Sequence, residues 1–491
     1  MIERSAGILM PISSLPSPYG IGTLGKEAFE FVDFLKKSNQ TFWQILPLNP
    51  TGFGNSPYQS FSAFAGNPYF LDFDVLSKDG LLKKCDYSST DWGYNPRSTD
   101  FSRIYAERFK VLQKACVNFK KNSDFEEFCL KNAFWLDDYA LFTALKASFG
   151  EKPWYVWPHS LKTKNEQAVE SARSLLCNEI EMQKIIQYLF FTQWNTLKEY
   201  ANKNGIEIIG DLPIYVAHDS ADVWGSPKQF ELDEESNPVF VAGVPPDGFS
   251  SEGQLWGNPV FDWEYMRDDG YRWWIRRIEH SLKIYDRIRI DHFRGFSSYY
   301  SVPYGMKNAV KGIWRKGPEN ELFKAVEASL GKLRIIAEDL GYIDEGVLNL
   351  LAETGFPGMK VLQFAFDSRE GSDYLPHNYP KNCVVYIGTH DNDTLEGWFE
   401  NADPKDIEFA CEYMRINQSE SRCRAVIKTA LASVGETVIL TMQDLLELGS
   451  EAKMNTPSTA ENNWQWRALK SDFTKELADE LNHLSKLYGR N

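Results

Sequence analysis

The amino-acid sequence predicts an α/β protein built on a (β/α)8 barrel, the TIM barrel, with inserted subdomains. Short apolar segments that end in Gly, Pro, Asp or Asn recur along the 491 residues, and segments of helical period separate most of them. Strands that alternate with helices are typical of parallel βαβ units, and eight such units close into a barrel. The eight predicted strands are residues 7–12, 42–48, 206–210, 288–291, 334–338, 359–364, 383–388 and 437–442.

Two of the connecting helices are predicted from apolar residues spaced i, i+3, i+4 and i+7, which places those residues on one helical face. We interpret both faces as core. Gly205 follows the second helix as a stop signal before the third strand. The two apolar stripes are Ala28, Phe31, Val32 and Leu35, and Ile186, Leu189, Phe190 and Trp194.

The unequal spacing of the strands predicts insertions within a single catalytic barrel over residues 1–491. A long connection without structure of its own is uncommon in a compact domain. Residues 54–180 are therefore expected to form a mostly helical subdomain, and residues 215–270 an irregular one. The segment 244–259 of the second insertion is a candidate lid over the active site. Residues 443–491 are too few for a further large domain.

Composition excludes several classes of partner. The chain has 53 Lys and Arg against 68 Asp and Glu, a net charge of −15, so it is not expected to bind nucleic acid. The sequence contains no run of 18 apolar residues, so it predicts no membrane span. Seven cysteines without a CxxC pair favour free thiols and a cytoplasmic location. Aromatic residues make up 14%, more than a core alone needs, which favours exposed platforms for flat ligands such as sugars.

Acidic residues stand at the ends of four predicted strands. Because the carboxyl ends of barrel strands open onto the catalytic face, we expect these side chains to converge there. A single acid could instead cap a helix or pair with an arginine, but four at strand ends favour an active site. They are Asp211, Asp291, Glu338 and Asp391.

The fourth strand can be interpreted side chain by side chain. Alternation places Ile288 and Ile290 toward the helices, and Arg289 and Asp291 toward the barrel axis. A guanidinium beside a carboxylate lowers its pKa, so Asp291 is expected to stay ionised, as a nucleophile must.

The fifth strand places Ile336 and Glu338 on one face. If that face points inward, Glu338 lies beside Asp291, and the neighbouring charge and loss of water raise its pKa. A raised pKa suits a general acid.

Converging carboxylates without a cofactor motif suggest chemistry at a glycosidic bond, with one carboxylate attacking and one acid protonating the leaving oxygen. A metal site is the competing hypothesis, but no HxH or HExxH spacing supports it. Its ligands would be Asp211, His292, His390 and Asp391. Residues 19–22 lack the third glycine of a dinucleotide loop. We therefore predict neither a cofactor nor a metal.

The sequence also resembles glycoside hydrolase family 77 of the α-amylase clan, the 4-alpha-glucanotransferases or amylomaltases, essentially from end to end. The resemblance rests on many short motifs in the same order. They are residues 18–22, 54–59, 210–216, 253–259, 289–295, 337–341, 389–394, 449–452, 454–457 and 463–467.

The resemblance implies a retaining transferase that moves part of a 1,4-α-glucan onto an acceptor glucose or maltooligosaccharide, drawn from maltodextrin or glycogen. Asp291 matches the nucleophile, Glu338 the acid/base and Asp391 the third carboxylate. It also implies a barrel without a C-terminal β-sandwich. Candidate substrate-binding residues are Tyr58, Asp211, Trp256, Arg289, His292, His390 and Asn463, with Tyr58 and Trp256 as sugar platforms.

Two alternatives remain: a hydrolytic α-amylase or α-glucosidase, and a glucan-binding barrel without activity. The oligomeric state is not predicted. One departure from the family pattern is visible at Ser458, where the motif usually has glycine. If the backbone there needs a positive φ, serine carries a cost.

Overall fold

The computed structural model describes residues 4–246, 250–417 and 419–490. Its strands are β1 (Ser5–Leu9), β2 (Phe42–Gln44), β3 (Glu207–Leu212), β4 (Phe240–Val244), β5 (Gln254–Pro259), β6 (Arg287–Ile290), β7 (Ser298–Pro303), β8 (Ile313–Lys316), β9 (Ile335–Ala337), β10 (Gly358–Val361), β11 (Cys383–Tyr386) and β12 (Thr437–Thr441).

The α-helices alternate with these strands. None in the described ranges is long and apolar enough to cross a membrane. They are α1 (Lys26–Lys37), α2 (Phe73–Lys78), α3 (Phe101–Asn118), α4 (Ser123–Ser148), α5 (His159–Lys162), α6 (Glu166–Leu175), α7 (Cys177–Lys203), α8 (Ala221–Gly225), α9 (Trp263–Asp268), α10 (Arg272–Ile284), α11 (Glu319–Leu330), α12 (Glu345–Thr354), α13 (Leu395–Asn401), α14 (Pro404–Met414), α15 (Arg422–Ala432), α16 (Met442–Leu445) and α17 (Lys475–Leu487).

Eight parallel strands form the barrel, in the order β10-β11-β12-β1-β2-β3-β6-β9. The Ala337 N–H donates to the Pro357 carbonyl at 2.9 Å and joins the two outermost strands. All eight strands overlap predicted ones, although their ends differ, so the predicted fold class is confirmed. The second strand ends at Gln44 and is shorter than predicted, although the Ile45 N–H still donates to the Ile209 carbonyl of β3 at 2.9 Å. Pro47 follows soon after and has no N–H to donate.

Side chains of the barrel strands separate into two apolar cores. The inner cluster fills the barrel axis, as in other barrels of eight strands, where the interior is a packed core. Ile288 and Ile290 belong to the larger cluster that faces the helices, as the alternation of β6 predicts. The inner cluster contains Leu9, Phe42, Ile209, Ile336, Met359, Val361, Val384, Tyr386 and Ile439.

The two long connections carry their own elements. Helices α2 to α7 lie between β2 and β3, and β4, β5 and three helices lie between β3 and β6. The division into subdomains at 54–180 and 215–270 stays a prediction. Part of the predicted lid, residues 247–249, lies outside the described residues.

A second, antiparallel sheet was not predicted. Its order is β5-β4-β7-β8, so the insertion pairs with strands that follow the fourth barrel strand. Strand β8 is exposed along most of its length and lacks the alternating apolar pattern from which strands are recognised. After β12 the described residues form helices and turns and no strand, consistent with the absence of a C-terminal β-sandwich.

Candidate active site

The four acidic residues predicted at strand ends meet at one end of the barrel. Asp211 lies within β3, Asp291 and Glu338 directly follow β6 and β9, and Asp391 follows β11. Strands β3, β6 and β9 are neighbours in the sheet, so three of the acids come from adjacent strands. The parallel direction of these strands brings their carboxyl ends to the same face.

Arg289 lies at the centre of this group. Its Nη1 donates to both oxygens of Asp211 at 2.8 Å and to Oδ1 of Asp291 at 3.1 Å. Its Nε contacts the sulfur of Met359, a residue of the inner barrel core, at 3.4 Å. The predicted inward direction of Arg289 is therefore observed, and one cation is shared between two carboxylates.

Asp211 is enclosed by protein. Its side chain is 0% exposed, and besides Arg289 it accepts a 2.7 Å hydrogen bond from the Tyr58 hydroxyl. The predicted role of Asp211 in substrate binding stays a prediction. Its burial favours an indirect role, in which Asp211 orients Arg289 and Tyr58.

Asp291 opens toward solvent, with 30% of its side chain exposed. The surrounding protein nevertheless removes enough water to raise the pKa of this carboxyl to about 6. Arg289 opposes the shift, while Asp211 adds to it. Arg289 therefore acts in the predicted direction, but loss of solvation, which the sequence did not reveal, outweighs its attraction and leaves the pKa of Asp291 raised.

Glu338 is buried and held by two backbone donors. Oε2 accepts from the His292 N–H at 2.6 Å, and Oε1 accepts from the Leu340 N–H at 3.0 Å. Burial raises the pKa of Glu338 to about 8; Arg289 opposes this shift and the charge of Asp291 adds to it. The predicted raised pKa is confirmed, and Glu338 holds its proton to higher pH than Asp291.

The backbone of His292 makes the first of these bonds possible. This residue adopts a left-handed conformation with φ of 51°, which is uncommon for residues other than glycine. Its ring lies edge-on to Trp256, with centroids 4.8 Å apart. Burial, with Arg294 nearby, lowers the pKa of His292 to about 3, so the ring is neutral.

Asp391 is the most accessible of the four acids, with 44% of its side chain exposed. Its Oδ1 accepts from the Asn455 side chain at 2.6 Å, and its Oδ2 lies 3.3 Å from Nε2 of His390. Asn455 was not identified as a site residue from the sequence. It lies within a recognised motif, but only the fold brings that motif to Asp391.

Aromatic rings line the same region. Tyr58 stacks on His390 with centroids 5.1 Å apart and planes 18° from parallel, and Trp464 lies 5.8 Å from Tyr58. Trp256 is half-buried beside His292. The predicted platforms therefore lie near the acids, although their contact with sugars stays a prediction.

Asn463 is bonded within its own loop. Its Oδ1 accepts from the Thr456 N–H at 2.9 Å, and its Nδ2 donates to the Thr459 carbonyl at 2.9 Å. Its predicted role in substrate binding stays a prediction, and the geometry favours shaping of the loop. Ser458 in this loop has φ of 65°, the positive value under which serine is unfavourable.

The metal hypothesis finds no support in the donor geometry. Among residues 4–246, 250–417 and 419–490, no three His, Cys, Asp or Glu side chains are arranged to hold a metal ion. Asp211 is already bonded to Arg289 and Tyr58, and His292 is packed against Trp256.

Carboxyl groups of different pKa at the strand ends of a nearly closed parallel barrel define a barrel enzyme of the glycoside hydrolase type. The chain belongs to the 4-alpha-glucanotransferases of glycoside hydrolase family 77, whose family model matches residues 10–471. The predicted family is thus confirmed.

Individual relatives agree with this assignment along the full chain. A 4-alpha-glucanotransferase of Clostridium butyricum is 50% identical and covers 98% of this chain and 100% of its own. One of Thermus thermophilus is 43% identical and covers 99% of each chain. Among solved structures, the amylomaltase from Streptococcus agalactiae in complex with acarbose has a TM-score of 0.98 at 45% identity over 100% of both chains.

Proposed function

We propose that the protein is a retaining 4-α-glucanotransferase, which moves a segment of a 1,4-α-glucan onto the 4-hydroxyl of an acceptor glucose or maltooligosaccharide. The observation that carries this proposal is the placement of two differently held carboxyls at neighbouring strand ends: Asp291 is bonded to Arg289 and has its pKa raised to about 6, and the buried Glu338 is held by two backbone donors and has its pKa raised to about 8. Near neutral pH the first is mostly ionised and the second mostly protonated, as a nucleophile and a general acid require.

In the first step, a carboxylate oxygen of Asp291 attacks the anomeric carbon as the glycosidic bond breaks. Glu338 gives its proton to the departing oxygen, which leaves as the hydroxyl of the released glucan. The product is a glycosyl ester on Asp291 and an ionised Glu338.

In the second step, Glu338 takes the proton of the acceptor 4-hydroxyl, and that oxygen attacks the anomeric carbon. The ester bond to Asp291 breaks and its carboxylate returns. Two displacements restore the original configuration, so the new linkage is again α-1,4.

The neighbouring groups support these steps. The bond from Arg289 holds Asp291 in position for attack. Asp391, tied to Asn455 on one oxygen, is placed to accept from sugar hydroxyls at the cleavage site. Tyr58, stacked on His390, offers a flat ring beside the same sugar.

Incubation with maltotriose tests the proposal. Transfer yields glucose together with oligosaccharides longer than maltotriose, and chromatography separates them. Glucose and maltose without longer products would show that water resolves the intermediate, as in an α-amylase or α-glucosidase. No reaction under any condition would leave only the glucan-binding alternative.

A further inference from the structure

Two exposed aromatic side chains lie within about 6 Å of the guanidinium of one buried arginine, Arg294, which follows Asp291 by three residues. The ring centroid of Trp314 is 4.2 Å from Cζ of Arg294, and that of Tyr342 is 5.9 Å from the same atom. Their centroids are therefore at most about 10 Å apart. Trp314 is 45% exposed and Tyr342 is 76% exposed.

Arg294 is fixed by several bonds. Its Nη1 donates to the Tyr342 carbonyl at 2.5 Å, and its Nη2 donates to Ser298 and Asp344, each at 3.1 Å. Trp314 also packs against Tyr300, with ring centroids 5.3 Å apart. Trp314 is therefore held in place while nearly half of it faces solvent. Single exposed aromatic side chains are ordinary on protein surfaces. Two aromatic rings packed on the same fixed guanidinium instead form an ordered aromatic surface.

The chain places this surface beside the acid/base. Arg294 comes three residues after Asp291, and Tyr342 four residues after Glu338, so Tyr342 lies within roughly 14 Å of Glu338 along the backbone. In the proposed mechanism Glu338 faces the glycosidic oxygen and then the acceptor hydroxyl. Because Glu338 serves both the leaving group and the acceptor in that mechanism, an acceptor chain bound at Glu338 can extend over this distance toward Tyr342.

We propose that Trp314 and Tyr342 form an acceptor platform, on which the distal glucose units of an incoming maltooligosaccharide stack. The platform sets a preference for long acceptors over glucose, because only an acceptor of several units occupies the cleavage site and the platform together. Aromatic rings match the apolar faces of sugars, and the protein's net charge of −15 suits a neutral chain. This inference rests on the proposed function, since it assumes a transfer reaction.

The experiment uses α-maltotriosyl fluoride as donor, because fluoride leaves the acceptor side empty. Glucose and maltotetraose are compared as acceptors, each labelled at the reducing end. For Trp314→Ala and Tyr342→Ala, the ratio of kcat/KM for maltotetraose to that for glucose falls about three- to tenfold, mostly through KM for maltotetraose. Tyr94→Ala is the control, since Tyr94 is an exposed ring that packs against a different cation, Arg103.

Each outcome has a defined meaning. An unchanged ratio in Tyr342→Ala, whose largely exposed side chain can be removed without unfolding, overturns the platform. Equal losses with both acceptors, or the same loss in the Tyr94 control, also overturn it. If Trp314→Ala lowers the melting temperature, the ratio of kcat/KM for the two acceptors is judged on Trp314→Phe and Tyr342→Ala instead. A wild-type enzyme that only hydrolyses the fluoride would instead refute the proposed function.

Discussion

The side-chain amide of Asn455 donates a 2.6 Å hydrogen bond to Oδ1 of Asp391. The same residue's backbone N–H donates to the His390 carbonyl at 3.1 Å, so Asn455 secures both Asp391 and the strand-end turn that carries it. The carboxylate of Asp391 is otherwise accessible, so the bond to its Oδ1 also fixes the direction in which its Oδ2 points.

Two replacements of Asn455 distinguish the effect of its hydrogen bond to Asp391 from the effect of its side-chain shape. Asn455→Ala should lower kcat/KM about tenfold, because a bond to a charged group is lost. Asn455→Asp should lose more at neutral pH, where two carboxylates repel, and recover as the pH falls and one of them can donate a proton to the other. The measurement is kcat/KM against pH for both variants. An Asn455→Asp profile parallel to that of the wild type would rule out this contact.

The pH dependence of kcat/KM should be bell-shaped. Activity rises as Asp291 ionises, with a pKa of about 6, and falls as Glu338 loses its proton, with a pKa of about 8. Steady-state kinetics between pH 4.5 and 9.5 measures both limbs. With α-maltotriosyl fluoride, which needs no proton to leave, Glu338→Gln should abolish the alkaline limb. Its persistence in that variant would assign the limb to another group.

Asp291→Asn should reduce turnover of maltotriose by roughly a thousandfold or more while the fold stays intact. It should also raise the melting temperature at pH 8 but not at pH 4. The pKa of Asp291 is raised in the folded state, so its charge costs stability only as the pH rises from about 4 through about 6.

Asp367→Asn is the matched control for stability. The partly buried Asp367 is paired with Arg369, and this hydrogen bond lowers its pKa to about 2. The control variant should therefore lose stability at pH 8 rather than gain it. A gain of similar size in both variants would contradict the electrostatic explanation.

Trp256→Ala should reduce transfer more than hydrolysis. The Trp256 ring packs edge-on against His292, whose backbone holds Glu338, so its loss opens the site to water beside the acid/base. The ratio of longer oligosaccharides to maltose formed from maltotriose measures the change. Equal losses of the two reactions would count against a role for Trp256 in excluding water.

Ser458→Gly should stabilise the protein by up to about 1 kcal/mol, since glycine tolerates the φ of 65° at no steric cost. Part of that gain is offset by the greater freedom of glycine in the unfolded chain. Thermal unfolding measures the difference. Glu461→Gly, in the same exposed loop but at a position where φ is not positive, should destabilise. A loss in both variants would mean that Ser458 is not strained.

Local patterns were sufficient to predict the barrel. The alternation of Ile288, Arg289, Ile290 and Asp291 is set by the geometry of a strand, and it placed the apolar pair outward and the charged pair inward. The acids at strand ends follow from the same rule, because parallel strands present their carboxyl ends together.

What the sequence did not reveal depends on contacts between distant segments. The net effect on the pKa of Asp291 is a balance between burial and Arg289, and burial is a property of the folded site. The Asn455 contact joins two loops 64 residues apart. Strand β8 was missed because it is an exposed edge strand whose pairing with β7 comes from the fold.

The sharing of Arg289 between Asp211 and Asp291 has a consequence for the two halves of the proposed reaction. When Asp291 becomes an ester it loses its negative charge. Arg289 is still paired with the carboxylate of Asp211, so its positive charge stays neutralised throughout. Glu338, whose pKa the charge of Asp291 helps to raise, then loses that repulsion. The pKa of Glu338 therefore falls once the ester has formed. The lower pKa keeps this carboxyl ionised, so that it can accept the proton of the acceptor hydroxyl. The alternation of acid and base is therefore driven by the covalent bond itself.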